Sequence, residues 1–280
     1  MERRVADGRS GLALRVGSAL ALIPLALGLV ILGEWAFACL VALAVVLMAL
    51  EWRQLTMARA GDGPGAAGGL AAASAAGLGL LMVLLAASGH AGAALVALVV
   101  GALAAGLIAR RLAAPPLWIG LGAAYLALPA LALVWLRGLP FGLQLVVWLL
   151  VVVWTTDVLA YLVGRTVGGP RLAPSVSPNK TWSGLCGGVA AAAVVGGLAA
   201  GAIGSERLLQ ASGLGGLLAI VSQIGDLIES ALKRRAGVKD SGNLIPGHGG
   251  VLDRLDGLIL AAPVLALLGL TLGPRILPWP

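Results

Sequence analysis

The sequence predicts an all-α, polytopic membrane protein with about nine transmembrane helices. Three observations predict this fold class: 60% of the 280 residues are apolar, only 11% are charged, and long apolar runs recur along the whole chain. A soluble globular domain has about 45–50% apolar and about 25% charged residues, so a water-soluble enzyme is excluded. The 42 glycines follow no Gly-X-Y repeat and lie among apolar residues, which excludes collagen and a disordered chain.

The predicted transmembrane helices are apolar runs of about 20 residues, the length that crosses the hydrocarbon core of a bilayer. In chain order they are Val16–Gly33, Trp35–Leu50, Gly69–Ser88, Ala91–Ala109, Leu117–Leu136, Phe141–Val163, Gly184–Ile203, Gly213–Leu232 and Gly257–Gly273. Together they take up about 180 residues and leave room only for short loops. Any chemistry must therefore be built from these helices and the loops that join them.

The basic residues predict the orientation of the spans. With nine spans and a cytoplasmic N-terminus, all but three of the 19 Lys and Arg residues fall in cytoplasmic segments, the exceptions being Arg137, Arg207 and Arg275. Because short cytoplasmic loops carry an excess of Lys and Arg, we predict a multi-pass protein of the cell membrane with its N-terminus inside. The net charge of +7 indicates topology and headgroup attraction, not nucleic-acid binding, since no basic stripe is interleaved with aromatic residues.

The two halves of the chain differ in composition. Residues 1–116 are predicted to be scaffold helices, because their spans are rich in Ala, Leu, Gly and Val and carry almost no ionisable group. Residues 117–280 are predicted to be the catalytic region, with cytoplasmic loops at 164–183 and 233–256. We expect polar chemistry in this second half.

Three polar or reactive side chains receive ordinary structural interpretations. Glu51 flanks the second predicted span and is interpreted as an interfacial carboxylate. Cys39 and Cys186 fall in apolar stretches and are interpreted as small core residues, because two such cysteines form neither a disulfide framework nor a metal site.

Carboxylates lie inside two predicted spans: Asp157 in the sixth, and Asp226 and Glu229 in the eighth. At 1.5 Å per residue, Asp157 and Asp226 lie at a similar depth, about 10 Å below the cytoplasmic ends of their helices, and they are predicted to face one chamber. A carboxylate at that depth is costly unless it is paired, metal-bound or hydrated. A purely structural alternative stays open, in which Asp226 or Glu229 neutralises Lys233. Asp157 would then pair with Arg165.

Two predicted cytoplasmic loops are rich in glycine and in cations. One contains Gly168-Gly169-Pro170-Arg171 and Ser177-Pro178-Asn179-Lys180, and the other contains Lys233-Arg234 and Pro246-Gly247-His248-Gly249-Gly250. Glycines let backbone N–H groups approach an anion, and Lys and Arg supply its countercharge. Carboxylates without a Cys or His cluster favour a hard, oxygen-binding ion, Mg²⁺ rather than Zn²⁺. The combination predicts a metal-bridged phosphate site.

One ordered motif is specific. It reads Ser230-Ala-Leu-Lys233-Arg234-x4-Lys239-Asp240-x-Gly242-x2-Ile245-Pro246-x-His248-Gly249-Gly250-Val251-x-Asp253-Arg254-Leu255-Asp256. It closely resembles the signature of the phosphatidate cytidylyltransferases, also called CDP-diacylglycerol synthases. The upstream patterns Asp157-x3-Tyr161-x2-Gly164-Arg165 and Ser177-Pro178-x-Lys180-Thr181-x2-Gly184 resemble the same family. Ser183 departs from the pattern, because we expect Glu there.

The resemblance implies the reaction of CTP with phosphatidate to give CDP-diacylglycerol and pyrophosphate, in phospholipid biosynthesis. It also implies dependence on Mg²⁺, with a second cation left open, and a homodimer. The phosphate of phosphatidate is already anionic, so its oxygen can attack the α-phosphate of CTP without a strong base. The obstacle is repulsion between two polyanions, which metal ions and Lys or Arg side chains reduce.

The expected roles combine the resemblance with the residue types. Catalytic roles are expected for Asp226, Lys233, Lys239, His248 and Asp253. The expected metal ligands are Asp226 and Asp253, followed by Asp256 and Asp157. The residues expected to bind triphosphate or lipid phosphate are Arg165, Ser177, Lys180, Arg234, Gly247, Gly249, Gly250 and Arg254. His248 is expected to donate a hydrogen bond, and Glu229 and Asp240 either orient the cations or bind metal.

Other function classes stay open. A CTP-dependent polyprenol or lipid-alcohol kinase, or a CDP-archaeol-type synthase, would use similar chemistry on another acceptor. A CDP-alcohol phosphotransferase would need an Asp-Gly-x2-Ala-Arg array, which the chain lacks. A secondary transporter would also bury carboxylates, but its two halves should be related repeats, whereas here only the second half is polar. The predicted partners are CTP and phosphatidate in the bilayer.

Overall fold

The fold is nearly all-α, as the sequence predicts. The computed structural model describes residues 20, 23–60, 66–244, 249–273 and 277–279. The helices are α1 (Ile23–Leu32), α2 (Glu34–Ala60), α3 (Ala66–Ala87), α4 (Ala91–Arg111), α5 (Pro116–Arg137), α6 (Gly142–Val167), α7 (Trp182–Ala202), α8 (Leu208–Arg235) and α9 (Leu252–Leu272). The strands are β1 (Arg171–Ala173) and β2 (Ser177–Thr181).

Eight of the helices, α2 to α9, are long and apolar enough to cross a membrane, so the chain is a polytopic membrane protein. They correspond to the second to ninth predicted spans. The first predicted span is described only from Ile23 onward, apart from Leu20, and its described helix, α1, has ten residues. Most of residues 1–22 therefore lie outside the described part of the chain, and the orientation of the N-terminus stays a prediction.

Two helices extend well beyond their predicted apolar runs. Helix α2 continues ten residues past Leu50 to Ala60, and α8 begins five residues before Gly213, at Leu208. The prediction followed hydropathy, but a helix continues until its backbone conformation is interrupted. At its C-terminal end, α8 continues past Leu232 to Arg235 and is interrupted at Gly237, whose φ of +72° is a left-handed conformation that glycine adopts without strain. The extension of α2 places Glu51 inside a helix.

A short antiparallel hairpin departs from the all-α expectation. Within the predicted loop 164–183, Arg171 pairs with Thr181 and Ala173 pairs with Ser177. Strand β2 runs directly into α7, because the Thr181 side chain accepts a hydrogen bond of 3.1 Å from the Gly184 backbone N–H and so caps the helix. Lys180 is therefore held two residues before Trp182, the first residue of α7.

Small residues bring the helices of the second half close together. A Cβ atom built on Gly188 of α7 would lie 2.9 Å from the carbonyl oxygen of Thr156 in α6. One built on Gly215 of α8 would lie 2.8 Å from the carbonyl oxygen of Ala192 in α7. This packing of small residues is typical of membrane helices. Helices α2 to α5 pack as a second group, and α5 contacts α9 and so joins the two groups.

The cysteine interpretation is wrong. Both Cys39 and Cys186 are exposed at the surface of the helix bundle, not in its core. The buried core is instead filled by larger residues such as Trp148 and Leu218. Hydropathy alone did not indicate which face of each helix turns outward, because in a membrane both faces are apolar.

The C-terminal segment closes the bundle at the end away from the hairpin. Ser205, in the turn between α7 and α8, donates a hydrogen bond of 2.6 Å to the carbonyl oxygen of Pro278. The hairpin, the C-terminal end of α8 and the N-terminal end of α9 lie at the opposite end. The polar residues of the second half gather there.

Candidate active site

Three carboxylates from α8 and α9 meet at this end of the bundle. Asp226, Glu229 and Asp256 each place one oxygen atom within 4.8 Å of the others, and we call these residues the carboxylate cluster. The two helices approach closely because Gly225 has no side chain: a Cβ atom there would lie 2.6 Å from the carbonyl oxygen of Asp256. The sequence placed Asp226 and Glu229 on one helix, and the packing brings Asp256 to them.

Lys180 connects the cluster to the hairpin and to α6. Its ammonium group forms an ion pair with Asp226 and donates a hydrogen bond of 2.8 Å to Gln223 Oε1. Gln223 Nε2 in turn donates to Asp157 Oδ1 at 3.1 Å. Asp157 and Asp226 therefore share one polar network, as their similar predicted depth suggested, but Gln223 and Lys180 join them.

Lys233 is held between two carboxylates. Its Nζ atom lies 3.0 Å from Glu229 Oε2 and 2.6 Å from Asp253 Oδ1. The Glu229 side chain is fully buried and that of Lys233 is 12% exposed. Charge-assisted hydrogen bonds of this length are strong, and the buried Glu229 carboxylate needs such a partner.

Asp253 organises the loop before α9. Its Oδ2 atom accepts hydrogen bonds from the backbone N–H groups of Gly250 at 2.9 Å and Ser241 at 3.1 Å. Its Oδ1 atom accepts from Lys233 and, at 3.3 Å, from Ser241 N–H. Among the described residues the cluster consists of Asp226, Glu229 and Asp256, and Lys233 connects Asp253 to it.

The purely structural alternative, in which these carboxylates only neutralise nearby cations, describes part of this network. Lys233 does neutralise Glu229, but Asp226 pairs with Lys180. Asp157 contacts Gln223, whereas Arg165 donates a hydrogen bond of 2.8 Å to the Tyr161 hydroxyl. The cluster therefore brings more carboxylates together than simple one-to-one ion pairing requires.

The other predicted binding residues lie around this network. Arg234 donates hydrogen bonds of 3.4 Å to the carbonyl oxygens of Val176, in the hairpin turn, and Val238. Lys239, Arg254 and Arg165 are exposed, Ser177 and Gly249 are half-buried, and Gly250 is buried. Gly247 and His248 lie outside the described residues.

Ser183, the position where the resemblance leads us to expect Glu, has a local structural contact. Its hydroxyl donates a hydrogen bond to the carbonyl oxygen of Gly168, across the base of the hairpin. Gly168 has a φ of +68°, which favours glycine. This serine therefore helps to fix the hairpin that carries Lys180.

Sequence reasoning missed three polar residues of the site: Gln223, Ser241 and Glu51. Gln223 is buried and lies three residues before Asp226, within an apolar helix. A polar side chain inside a span is a signal for function, so Gln223 could have been singled out. Ser241 and Glu51 carry no such local signal, because their partners are remote in sequence.

The carboxylate cluster fits a divalent cation. All its donors are oxygen atoms, which hard cations such as Mg²⁺ prefer. Glu229 Oε1 is buried and, among the described residues, has no hydrogen-bond partner. A buried carboxylate oxygen without a partner is costly, and a cation ligated there would satisfy it.

The chain is similar to known proteins over most of its length. The model of the cytidylyltransferase family matches residues 13–272. A phosphatidate cytidylyltransferase of Brucella abortus is 54% identical over 153 residues, which cover 54% of this chain and 57% of the relative. The chain thus spans little more than half the length of that relative.

Two further relatives carry the same name. The phosphatidate cytidylyltransferase of Pseudomonas aeruginosa is 40% identical over 265 residues, covering 91% of this chain and 95% of the relative. That of Bacillus subtilis is 43% identical over 129 residues, covering 45% and 47%. With a family model that matches nearly the whole chain and a relative aligned almost end to end, the chain belongs to the cytidylyltransferase family.

Proposed function

We propose that this protein transfers the cytidylyl group of CTP to phosphatidate and releases pyrophosphate. The observation that carries the proposal is the carboxylate cluster with Lys180 and Lys233 bound to it, at one end of membrane-spanning helices. Membership of the cytidylyltransferase family and the names of the relatives support the choice of substrates.

The proposed reaction is a substitution at the α-phosphorus of CTP. An oxygen atom of the lipid phosphate forms a bond to that phosphorus, and the bond to the oxygen that bridges the α- and β-phosphates breaks. The electron pair leaves with pyrophosphate, giving CDP-diacylglycerol. Because the attacking phosphate is already anionic, the protein's task is positioning and reduction of charge repulsion rather than proton removal.

The cations serve that task. Lys180 and Lys233 are held at the cluster by carboxylates, so their positive charges are fixed where two polyanions would meet. Arg165, Arg234, Lys239 and Arg254 are exposed around them, and we assign them to the triphosphate or the lipid phosphate. Ser177, Gly247, His248 and Gly249 keep their predicted roles in binding phosphate, whereas the Gly250 N–H already donates to Asp253 and so holds the loop.

The proposed cofactor is Mg²⁺, with Asp226, Glu229 and Asp256 as its protein ligands. Bound there, Mg²⁺ would act as a Lewis acid that neutralises phosphate oxygens. Asp157 and Asp253, which the sequence also predicts as ligands, lie outside the carboxylate cluster. We assign Asp157 to orienting Lys180 through Gln223, and Asp253 to orienting Lys233.

The site is proposed to face the cytoplasm in the cell membrane. The excess of Lys and Arg in the segments at the hairpin end supports this orientation. A site near the membrane surface would allow CTP to arrive from water while phosphatidate stays in the bilayer. The scaffold role of residues 1–116 stays a prediction. The homodimer also stays a prediction, and sedimentation of the detergent-solubilised protein measures the oligomeric state.

The test is reconstitution of the purified protein in phosphatidate vesicles with CTP and Mg²⁺, scored for both CDP-lipid and pyrophosphate. The expected result is equal amounts of the two products in the wild type and a loss of at least about 100-fold in Asp226→Asn. Glu206→Gln, an exposed carboxylate in the turn between α7 and α8, is the matched control and should keep full activity.

Other results would redirect the assignment. In parallel vesicles that contain a lipid alcohol in place of phosphatidate, formation of CDP and a lipid phosphate from CTP would indicate a kinase. Solute or ion flux without any nucleotide product would indicate a transporter. Either outcome, with an active positive control, overturns the proposal.

A further inference from the structure

The carboxylate of Glu51 lies in the half of the chain predicted as scaffold, yet it contacts the signature motif. It is completely buried, with 0% of its surface exposed. Its Oε1 atom accepts a hydrogen bond of 2.8 Å from Val251 N–H, and its Oε2 atom accepts one of 2.8 Å from Leu252 N–H. Oε2 also accepts from the Ser241 hydroxyl at 3.2 Å.

The two backbone contacts cap α9 from another helix. The first N–H groups of a helix have no acceptor within the helix, and Val251 and Leu252 stand at the start of α9. A carboxylate placed there satisfies two such donors and complements the positive end of the helix dipole. Helix α9 therefore obtains its N-terminal cap from α2, about 200 residues earlier in the chain.

Two glycines of the motif allow the loop to close around this carboxylate. A Cβ atom built on Gly250 would lie 2.7 Å from Glu51 Oε1, and one built on Gly242 would lie 2.9 Å from the same atom. Any larger residue would push the loop away from Glu51. The glycines at these positions thus have a packing reason besides any approach to phosphate.

Ser241 connects Glu51 to the cations of the site. Its hydroxyl donates to Glu51, while its backbone N–H donates to Asp253, which holds Lys233. Asp256 lies about one helical turn beyond the residues that Glu51 caps. The position of the start of α9 determines where both Asp253 and Asp256 lie relative to α8.

We propose that Glu51 is a positioning residue for the reaction, acting through the start of α9 on Asp253 and Asp256. This inference rests on the proposed function. It makes α2 part of the site, although the sequence predicts residues 1–116 as scaffold. Among the described residues, Glu51 accepts hydrogen bonds from Ser241, Val251 and Leu252, and we assign its effect to the groups that it holds.

The test compares Glu51→Gln and Glu51→Asp with the wild-type protein in detergent micelles. Gln keeps the size of the side chain but turns an NH₂ group toward a backbone donor, so at least one cap bond is lost. We expect a kcat about tenfold lower and Mn²⁺ affinity, measured by electron paramagnetic resonance without nucleotide or lipid, several-fold weaker. The KM for CTP should change less than twofold, and Asp, which keeps the charge, should recover part of both losses.

Trp148→Phe is the matched control for lost stability. It removes a buried hydrogen bond of 2.7 Å between α6 and α7, from Trp148 Nε1 to the carbonyl oxygen of Gly196, and leaves the contacts of Glu51 intact. We expect a lower Tm with unchanged kcat and Mn²⁺ affinity per folded molecule. If Glu51→Gln behaves in the same way, Glu51 is a stabilising residue only and the inference is overturned.

Two further outcomes are decisive. If the Glu51 variants do not fold, Ser241→Ala tests the inference instead, because this variant removes only the hydroxyl contact to Glu51. A two- to threefold loss of Mn²⁺ affinity in Ser241→Ala supports the inference. An unchanged Mn²⁺ affinity overturns it. If the wild-type protein binds Mn²⁺ but forms no CDP-lipid, the proposed function fails, while the Mn²⁺ measurements still test the positioning role.

Discussion

Lys233 Nζ lies 2.6 Å from Asp253 Oδ1, and this ion pair joins the last turn of α8 to the first turn of α9. The same ammonium group contacts Glu229, whose side chain is fully buried. Because a buried carboxylate without a cation is costly, Lys233 stabilises the contact between the two helices that supply the carboxylate cluster.

Removal of the Lys233 charge should destabilise the protein more than removal of the Lys180 charge. In Lys233→Gln the buried Glu229 loses its cation, at a cost of about 3–5 kcal/mol. In Lys180→Gln the carboxylate left behind is that of Asp226, which is 24% exposed and stays partly hydrated. Thermal unfolding of both variants in one detergent measures the difference. Equal decreases in Tm would contradict the role of burial.

The carboxylates should differ in their effect on metal affinity. Asp256→Asn removes an oxygen of the cluster, so we expect Mn²⁺ affinity to fall at least about tenfold. Asp157 lies outside the cluster and accepts its hydrogen bond from Gln223, so the Mn²⁺ affinity of Asp157→Asn should stay within about threefold of the wild type. Isothermal titration measures both. A larger loss in Asp157→Asn would reverse the assignment of ligand and positioning residue.

A methyl group at Gly250 should destabilise the loop before α9. Because its Cβ atom would contact the Ser241 hydroxyl and the Glu51 carboxylate, Gly250→Ala is expected to cost about 1–3 kcal/mol and to lower turnover. Gly69→Ala is the matched control, since nothing lies within 4 Å of a Cβ atom there and alanine favours a helix. Denaturation in detergent together with the product assay compares the two. A Gly250→Ala protein as stable and active as the control would contradict the packing at Glu51.

The orientation can be tested with single cysteines. In a Cys39→Ser, Cys186→Ser background, Lys239→Cys should react with an impermeant maleimide only in inside-out vesicles, since it is exposed at the hairpin end. Glu206→Cys, at the opposite end, should react only in right-side-out vesicles. The reverse pattern would place the site outside the cell.

Much of this protein could be predicted from local sequence. Apolar runs of sufficient length predict spans wherever they occur, and eight of the nine predicted spans correspond to long helices. The signature from Ser230 to Asp256 is contiguous, so the family could be recognised without knowledge of the packing. Lys180, Asp226 and Lys233 were likewise singled out by their residue types and their places at or within spans.

The remaining features depend on contacts between residues distant in sequence. Hydropathy did not predict which carboxylates meet, because Asp256 reaches Asp226 only where Gly225 lets α8 and α9 approach. The interpretation of Glu51 as an interfacial carboxylate was wrong for the same reason: its partners, Val251 and Leu252, are about 200 residues away.

The sequence by itself thus determined the membrane-spanning class, the family and the chemical types at the site, since each follows from residues close together in the chain. Only the tertiary structure decided that Glu229 joins Asp226 and Asp256, that Asp253 holds Lys233 and the loop, and that α2 caps α9. Those relationships arise from helix packing, in which small residues set the distances between backbones and buried polar groups must find partners.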